Sequence, residues 1–374
     1  MNVAIVQSDV VTAYGWGLDA LWDGLLSNET AIRATDRFVE RGFLSNQAAI
    51  IPELEIHAGE SRAMAMLRRL LRPLIAKIDP LTPLILATTV GEIEYVEAAI
   101  LSHRPELAAD ARPQVLLRRI KQLLGLRGAA MVVSCACASS AVAISRAASM
   151  IRHGDAKRVL LVACDSVSEF VYSGFSTLLS LCEGPARPFD AQRGGLTLGE
   201  GAAWALLASD ESPRGGATSI LGWGNTTDAV HMTAPDRDAR GLSRAIAKAC
   251  AMAGKTADEI SFIAAHGTAT LYSDAMELVA LRGATRRPRP IFSVKGGVGH
   301  TLASAGLVQI LVAARAMSLG IVPPTVGLQV LDPSAVDWAH KTSVQIGRAP
   351  LALSISSGFG GVNTAVVLGG GDQS

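Results

Sequence analysis

Residues 131–154, MVVSCACASSAVAISRAASMIRHG, read as a short apolar strand, a turn of small residues and an Ala-rich helix. A second stretch follows the same plan at residues 291–320, IFSVKGGVGHTLASAGLVQILVAARAMSLG. The likeness is one of plan, with few identical positions, and it points to two related α/β halves. Between and around them, short apolar runs alternate with helical patterns. Val3–Val6, Leu84–Ala87, Val159–Ala163, Ala203–Leu207, Phe262–Ala265, Ser354–Ser356 and Thr364–Leu368 read as strands. Arg240–Ala253 and Asp274–Leu281 read as helices. Runs that are apolar at every position need cover on both faces, so the expected class is α/β with covered sheets. The polar segment Ser209–Gly216, SDESPRGG, marks the seam between an N-terminal half, 1–210, and a C-terminal half, 217–374.

Composition narrows the function. The chain has 374 residues, of which 34 are Lys or Arg and 33 Asp or Glu, giving a net charge of +1. So balanced a charge excludes a protein built mainly to coat nucleic acid or an anionic membrane. The apolar runs, such as Val159–Cys164, fall short of about 18 residues, so no membrane-spanning helix is expected. The N-terminal MNVAIVQSDVV reads directly as a strand and not as a signal peptide. Five cysteines, an odd number without paired CxxC spacing, predict neither a disulfide framework nor a zinc site. A reducing cytoplasm is the expected compartment.

One cysteine stands apart. Cys137 lies where the strand of the opening stretch gives way to the helix, among Ala136, Ala138, Ser139 and Ser140, which leave room for a substrate carbonyl. A thiol at a helix N-terminus meets the positive end of the macrodipole, which predicts thiolate at neutral pH. Cys135 is expected to stay inside the strand as core. Two histidines also sit in Gly-rich turns after strands: His266 in HGTAT, leading to Asp274 and Glu277, and His300 in KGGVGH, five residues after Lys295. Neither has a second ligand at metal-binding spacing, and KGGVGH lacks the order of a phosphate loop. Near the C-terminus, SGFGGVN (357–363) encloses the bulky Phe359 among glycines, which suits a gate or an oxyanion-binding backbone turn.

Taken together, these segments resemble the β-ketoacyl-acyl-carrier-protein synthases, the decarboxylating condensing enzymes of the thiolase fold. The resemblance runs in order through SCACASS (134–140), RPFD (187–190), LGEGA (198–202), GNTTDAVHMTAP (224–235), HGTAT with Asp274 and Glu277, Lys295 with His300, and GFGGVN (358–363). It implies a layered αβαβα fold and a catalytic set of Cys137, His266 and His300. Cys137 would carry the acyl group, and the histidines would donate to the enolate oxygen formed as malonyl loses CO2. The resemblance also implies Lys295 and Glu277 as a supporting charged pair. An oxyanion hole would be built from the N–H groups of Cys137 and Phe359, with Gly358 and Gly360 flanking Phe359 as the gate. No metal and no cofactor are expected, since the substrates ride on the phosphopantetheine of acyl carrier protein.

Two partners follow: that carrier protein, and a second subunit forming a homodimer, or a heterodimer with a ketosynthase-like chain. Carrier proteins are acidic, and Arg62, Arg68, Arg69 and Arg72 offer a basic helix face for docking, with Arg118, Arg119 and Lys121 as a second candidate. Departures from the family pattern mark a specialised member, notably Gly194 where an acidic residue is usual, Glu92 in a usually Gly-rich segment, and Cys135. The competing functions are a catalytically silent partner subunit, which usually lacks the nucleophile, and a thiolase-like acyltransferase. Thiolases carry a second cysteine where Phe359 stands.

Overall fold

Strands apolar on both faces recur in the computed structural model, which describes residues 2–43, 45–210, 217–347 and 350–370. Ten lie along one continuous sheet: β1 (Asn2–Thr12), β2 (Leu84–Ala87), β3 (Ala130–Val133), β4 (Arg158–Asp165), β5 (Gly201–Asp210), β6 (Thr218–Thr227), β7 (Phe262–Ala264), β8 (Ile291–Phe292), β9 (Leu351–Gly358) and β10 (Val362–Gly370). Their order is β8-β7-β9-β10-β6-β1-β5-β4-β2-β3. From β1 outward the pairings run antiparallel, antiparallel, parallel, parallel. From β6 outward through β10, β9, β7 and β8 they repeat the same sequence. Two five-stranded units of one topology therefore meet where β1 pairs with β6, at Ala4 with Ser219 and Ile5 with Thr218. Residues 211–216 of the expected seam, and 371–374 at the end of the expected C-terminal half, lie outside the described residues.

Among the described residues, ten α-helices cover the two units: α1 (Leu18–Leu26), α2 (Arg62–Leu70), α3 (Glu94–Leu101), α4 (Pro113–Leu124), α5 (Ser139–Arg152), α6 (Glu169–Thr177), α7 (Arg240–Ala253), α8 (Leu271–Ala284), the single turn α9 (Lys295–Val298) and α10 (Ala305–Leu319). The period-2 alternation of each strand assigns them to layers. Along β4, Val159, Leu161 and Ala163 pack into a central core with α5 and α10. Leu160, Val162 and Cys164 point the other way, against α2 and α4. In the second unit, Ile263, Leu353, Ile355 and Val367 face α7 and α8. The result is the αβαβα stack implied by the resemblance.

Layer position explains composition. Helices α5 and α10 lie between the two five-stranded units, and a Cβ on Gly306 would stand 3.0 Å from the Ala141 Cβ, so only small residues let them approach so closely. The same burial corrects one expectation: Leu302–Leu319 is an 18-residue window of mean hydropathy 1.6, long and apolar enough to cross a membrane. It is a core helix instead, 78% of it enclosed by the fold. Strand Leu84–Ala87 and helix Arg240–Ala253 lie where the pattern predicts. The strand that opens the 291–320 stretch ends at Phe292, because the chain turns there into α9. Strand β1 outruns its apolar start through Gln7, Ser8 and Asp9, after a register shift between Ile5 and Gln7.

Candidate active site

Cys137 is placed by a tight turn between β3 and α5. Ala136 has φ 48°, in the left-handed region that alanine occupies only under constraint. The Ser139 hydroxyl supplies that constraint: it accepts the Cys135 N–H at 2.8 Å and donates to the Ala136 carbonyl at 2.6 Å. Cys135 has therefore left the strand and is half-buried, contrary to its reading as core. Cys137 itself is buried at the end of a cavity. Burial pushes its thiol up to about 11, outweighing the Lys295 charge and the N–H groups of Cys137 and Phe359 that favour the thiolate. The expectation of a thiolate at neutral pH is thus corrected. Removing water from the sulfur costs more than the helix terminus returns.

His266 follows β7. Its N–H and that of Gly267 both donate to the Glu277 carboxylate of α8, the second at 2.8 Å. Gly267 has φ 43°, and a Cβ there would lie 2.7 Å from the Ser293 Cβ, so glycine is required on both counts. Lys295, at the start of α9, donates to the His266 carbonyl and lies 3.4 Å from Nδ1. Lys295 and Glu277 make no ion pair with each other; they grip His266 from two sides. Burial pushes the Glu277 carboxyl up and the Lys295 ammonium down, while their mutual attraction opposes both shifts.

His300 follows α9. Its N–H donates to the Thr197 carbonyl at 2.7 Å, and its own carbonyl accepts from Gly199 at 3.0 Å. The Leu302 N–H donates to Nδ1 at 3.2 Å, which leaves the ring proton on Nε2. That Nε2 is buried and has no protein partner. Lys295 beside Nδ1 of His266 selects the same tautomer there. The two rings stand edge to face, 5.5 Å apart. Burial and the Lys295 charge hold both imidazoles well below the usual histidine range, so both are neutral N–H donors.

The glycine turn after β9 closes the site. A Cβ on Gly358 would stand 3.1 Å from the Cys137 nitrogen, so glycine lets the turn lie against the nucleophile. The Phe359 N–H favours the Cys137 thiolate, and the Phe359 ring stacks on Phe175 of α6 at 5.5 Å. Gly360 donates to the Met232 carbonyl at 2.7 Å, and Asn363 donates to Asp228 at 2.8 Å, which fixes the turn to the 228–232 loop. The cavity encloses about 340 Å³, with Cys137, His266, His300, Thr268, Thr270 and Phe359 among its lining. Leu179, 77% exposed, and the exposed Tyr272 also line it.

The expected docking face does not survive intact. Arg62 is committed to Glu200, with Nε at 3.0 Å, and Arg68 to Glu60 at 2.9 Å. Arg69 lies 4.0 Å over the Trp16 ring, and Arg72 is exposed on the 3-10 turn that follows α2. In the second candidate, Arg119 pairs with Glu92 and Asp110, and Lys121 donates to Gly128. Glu92 is buried among Ser61 and Arg119 and does not line the cavity, whereas Gly194 does, with open space where a Cβ would stand. Sequence reasoning missed Gln309 of α10. Its buried amide donates to Ser354 Oγ at 2.8 Å and the Ile355 carbonyl at 2.7 Å, tying α10 to the strand that carries Phe359. A glutamine set inside the apolar run Leu307–Val312 was the available signal.

Residues 85–212 match the β-ketoacyl synthase N-terminal domain, and residues 217–329 match the β-ketoacyl synthase C-terminal domain. The chain is 28% identical to 3-oxoacyl-[acyl-carrier-protein] synthase 2 of Rhizobium meliloti (strain 1021), over 98% of each chain. It is 31% identical to the tetracenomycin polyketide synthase ketoacyl synthase alpha subunit of Streptomyces glaucescens, over 68% of this chain and 63% of that one. Among solved structures, the ishigamide ketosynthase/chain length factor superposes with a TM-score of 0.89 at 28% identity, covering 98% of both chains. A β-ketoacyl synthase from Burkholderia phymatum STM815 gives 0.89 at 25%, covering 99% of both. The two domain models of one family match in chain order, over 85–212 and 217–329, and the chain belongs to the β-ketoacyl synthase family.

Proposed function

We propose that this protein is a decarboxylating condensing enzyme acting on thioesters carried by acyl carrier protein. The observation that carries this reading is the meeting of two kinds of donor on one cavity: neutral imidazole N–H groups from His266 and His300, and the backbone N–H groups of Cys137 and Phe359 at the sulfur. The Cys137 sulfur attacks the acyl thioester; a new C–S bond forms, and the carrier's pantetheine thiol leaves with the proton. Malonyl-carrier protein then enters, its C–C bond breaks, and CO2 departs. The electron pair becomes an enolate whose oxygen receives the two Nε2–H groups. The enolate carbon attacks the acyl-Cys137 carbonyl, and the oxyanion faces the Cys137 and Phe359 N–H groups. Collapse expels the Cys137 thiolate, which takes up a proton, and releases a β-ketoacyl chain two carbons longer.

The substrates bring their own phosphopantetheine, so the chemistry calls for no further cofactor. Such a reaction serves fatty-acid-like or polyketide synthesis, and its free thiol suits a reducing cytoplasm. The second subunit, an identical copy or a ketosynthase-like chain, seats on β3, the last strand of the sheet, whose outer edge is unpaired. Retention of Cys137 favours the active subunit over a silent partner. The deciding experiment treats the purified protein with acyl-carrier protein and then malonyl-carrier protein. Mass gain on the Cys137 peptide followed by release of one CO2 per β-ketoacyl product is expected. Acylation without CO2 release on addition of malonyl-carrier protein would leave an acyltransferase, and no acylation would leave a silent subunit.

A further inference from the structure

The turn behind His300 contains a residue under strain. Leu302 has φ 52°, in the left-handed region, although its side chain is packed in the apolar cluster around Val167, Tyr172 and Leu198. Such a conformation persists only where the surroundings over-determine it. Here the surroundings include a fully buried carboxylate. Asp165, at the end of β4, accepts the Ala303 N–H at 2.9 Å. The same carboxylate is held in turn by Thr88 Oγ1 at 2.7 Å, Thr89 Oγ1 at 2.8 Å and the Thr89 N–H at 3.1 Å, all from the segment that follows β2. One residue before Ala303, the Leu302 N–H meets Nδ1 of His300 at 3.2 Å. None of Asp165, Leu302 and Ala303 lines the cavity.

We propose that Asp165 is a positioning residue for decarboxylation: by holding the Ala303 N–H it keeps Leu302 in its strained turn, and so keeps the His300 proton on Nε2, facing the cavity. This rests on the reading of His300 as a donor to the enolate oxygen. The carboxylate gives no comparable help to acylation. Its negative charge lies close enough to Cys137 to disfavour the thiolate, so removing it leaves acylation unchanged or faster. A residue needed only for folding would lower both half-reactions together.

The test uses the full chain carrying Asp165→Ala or Asp165→Asn, with two readouts on each. One is the rate of mass gain at Cys137 from octanoyl-pantetheine thioester; the other is CO2 release from malonyl-carrier protein. A group held slightly out of place can cost up to about 100-fold in rate, so Asp165→Ala should lower CO2 release by roughly 10- to 100-fold. Acylation should stay at or above the wild-type rate. Asp165→Asn keeps one carbonyl acceptor and should fall between, and it decides alone if the alanine variant does not fold. Equal losses in both readouts, or CO2 release at the wild-type rate, overturn the proposal. A wild-type protein that acylates but releases no CO2 overturns the condensing reading on which it stands.

Discussion

Cys137 holds its proton at neutral pH because the pocket that shapes the reaction also strips water from the sulfur. Its alkylation by iodoacetamide should therefore be slow at pH 7 and climb about tenfold per pH unit towards a plateau near 11, since only the thiolate reacts. A plateau already reached at pH 8 would contradict this. Cys137→Ala should abolish the acyl-enzyme seen by mass spectrometry, while Cys135→Ala leaves it, because Cys135 sits outside the donor-lined cavity. The histidines titrate in the opposite sense. Burial lowers both, so between pH 8 and 6.5 neither gains a proton, and the histidine-dependent part of decarboxylation should stay flat. His266→Ala or His300→Ala should each slow decarboxylation by about 10²- to 10³-fold, as the loss of one donor to a developing oxyanion does elsewhere. Stopped-flow CO2 measurements check both statements.

At the scale of elements, α2 shows what a helical pattern can and cannot reveal. Its Ser61 cap, whose hydroxyl accepts the Met64 N–H, and its buried Ala63, Met66, Leu67 and Leu70 follow from local sequence. The fate of its arginines does not. Glu200 comes from 138 positions further along the chain to take Arg62, and its side chain is wholly buried. Arg62→Ala should therefore cost about 3 kcal/mol of stability in denaturant unfolding, because it leaves the buried Glu200 charge with only the Ile51 N–H at 2.9 Å and the Arg37 guanidinium at 3.8 Å. The remaining exposed charges make the docking test sharper. Charge reversal at Arg69 and Arg72 should raise the apparent KM for carrier-bound substrate and spare a pantetheine thioester, with stability little changed. Equal loss with both substrates would remove α2 from docking altogether.

At the scale of the whole molecule, two units of identical strand order leave β3 as one open end of the sheet, directly before the nucleophile turn. Sedimentation should show a dimer; a stable and fully active monomer would refute pairing at that edge. The duplication was legible in the chain because each unit repeats a strand, a small-residue turn and an Ala-rich helix. Cys137, His266, His300 and Phe359 could be singled out too, because each stands in a turn of small residues, and the fold brings all four to one cavity. These are local properties: strand period, turn chemistry and helix start act over a few residues, and the sequence determines them by itself. What only the tertiary structure decided depends on groups brought together from distant positions. It placed both imidazole protons on Nε2, replaced an expected thiolate with a buried thiol, neutralised half of a basic helix face, and set Asp165 behind His300. Desolvation and hydrogen bonding across layers fix those outcomes, and neither is a property of any short stretch of chain.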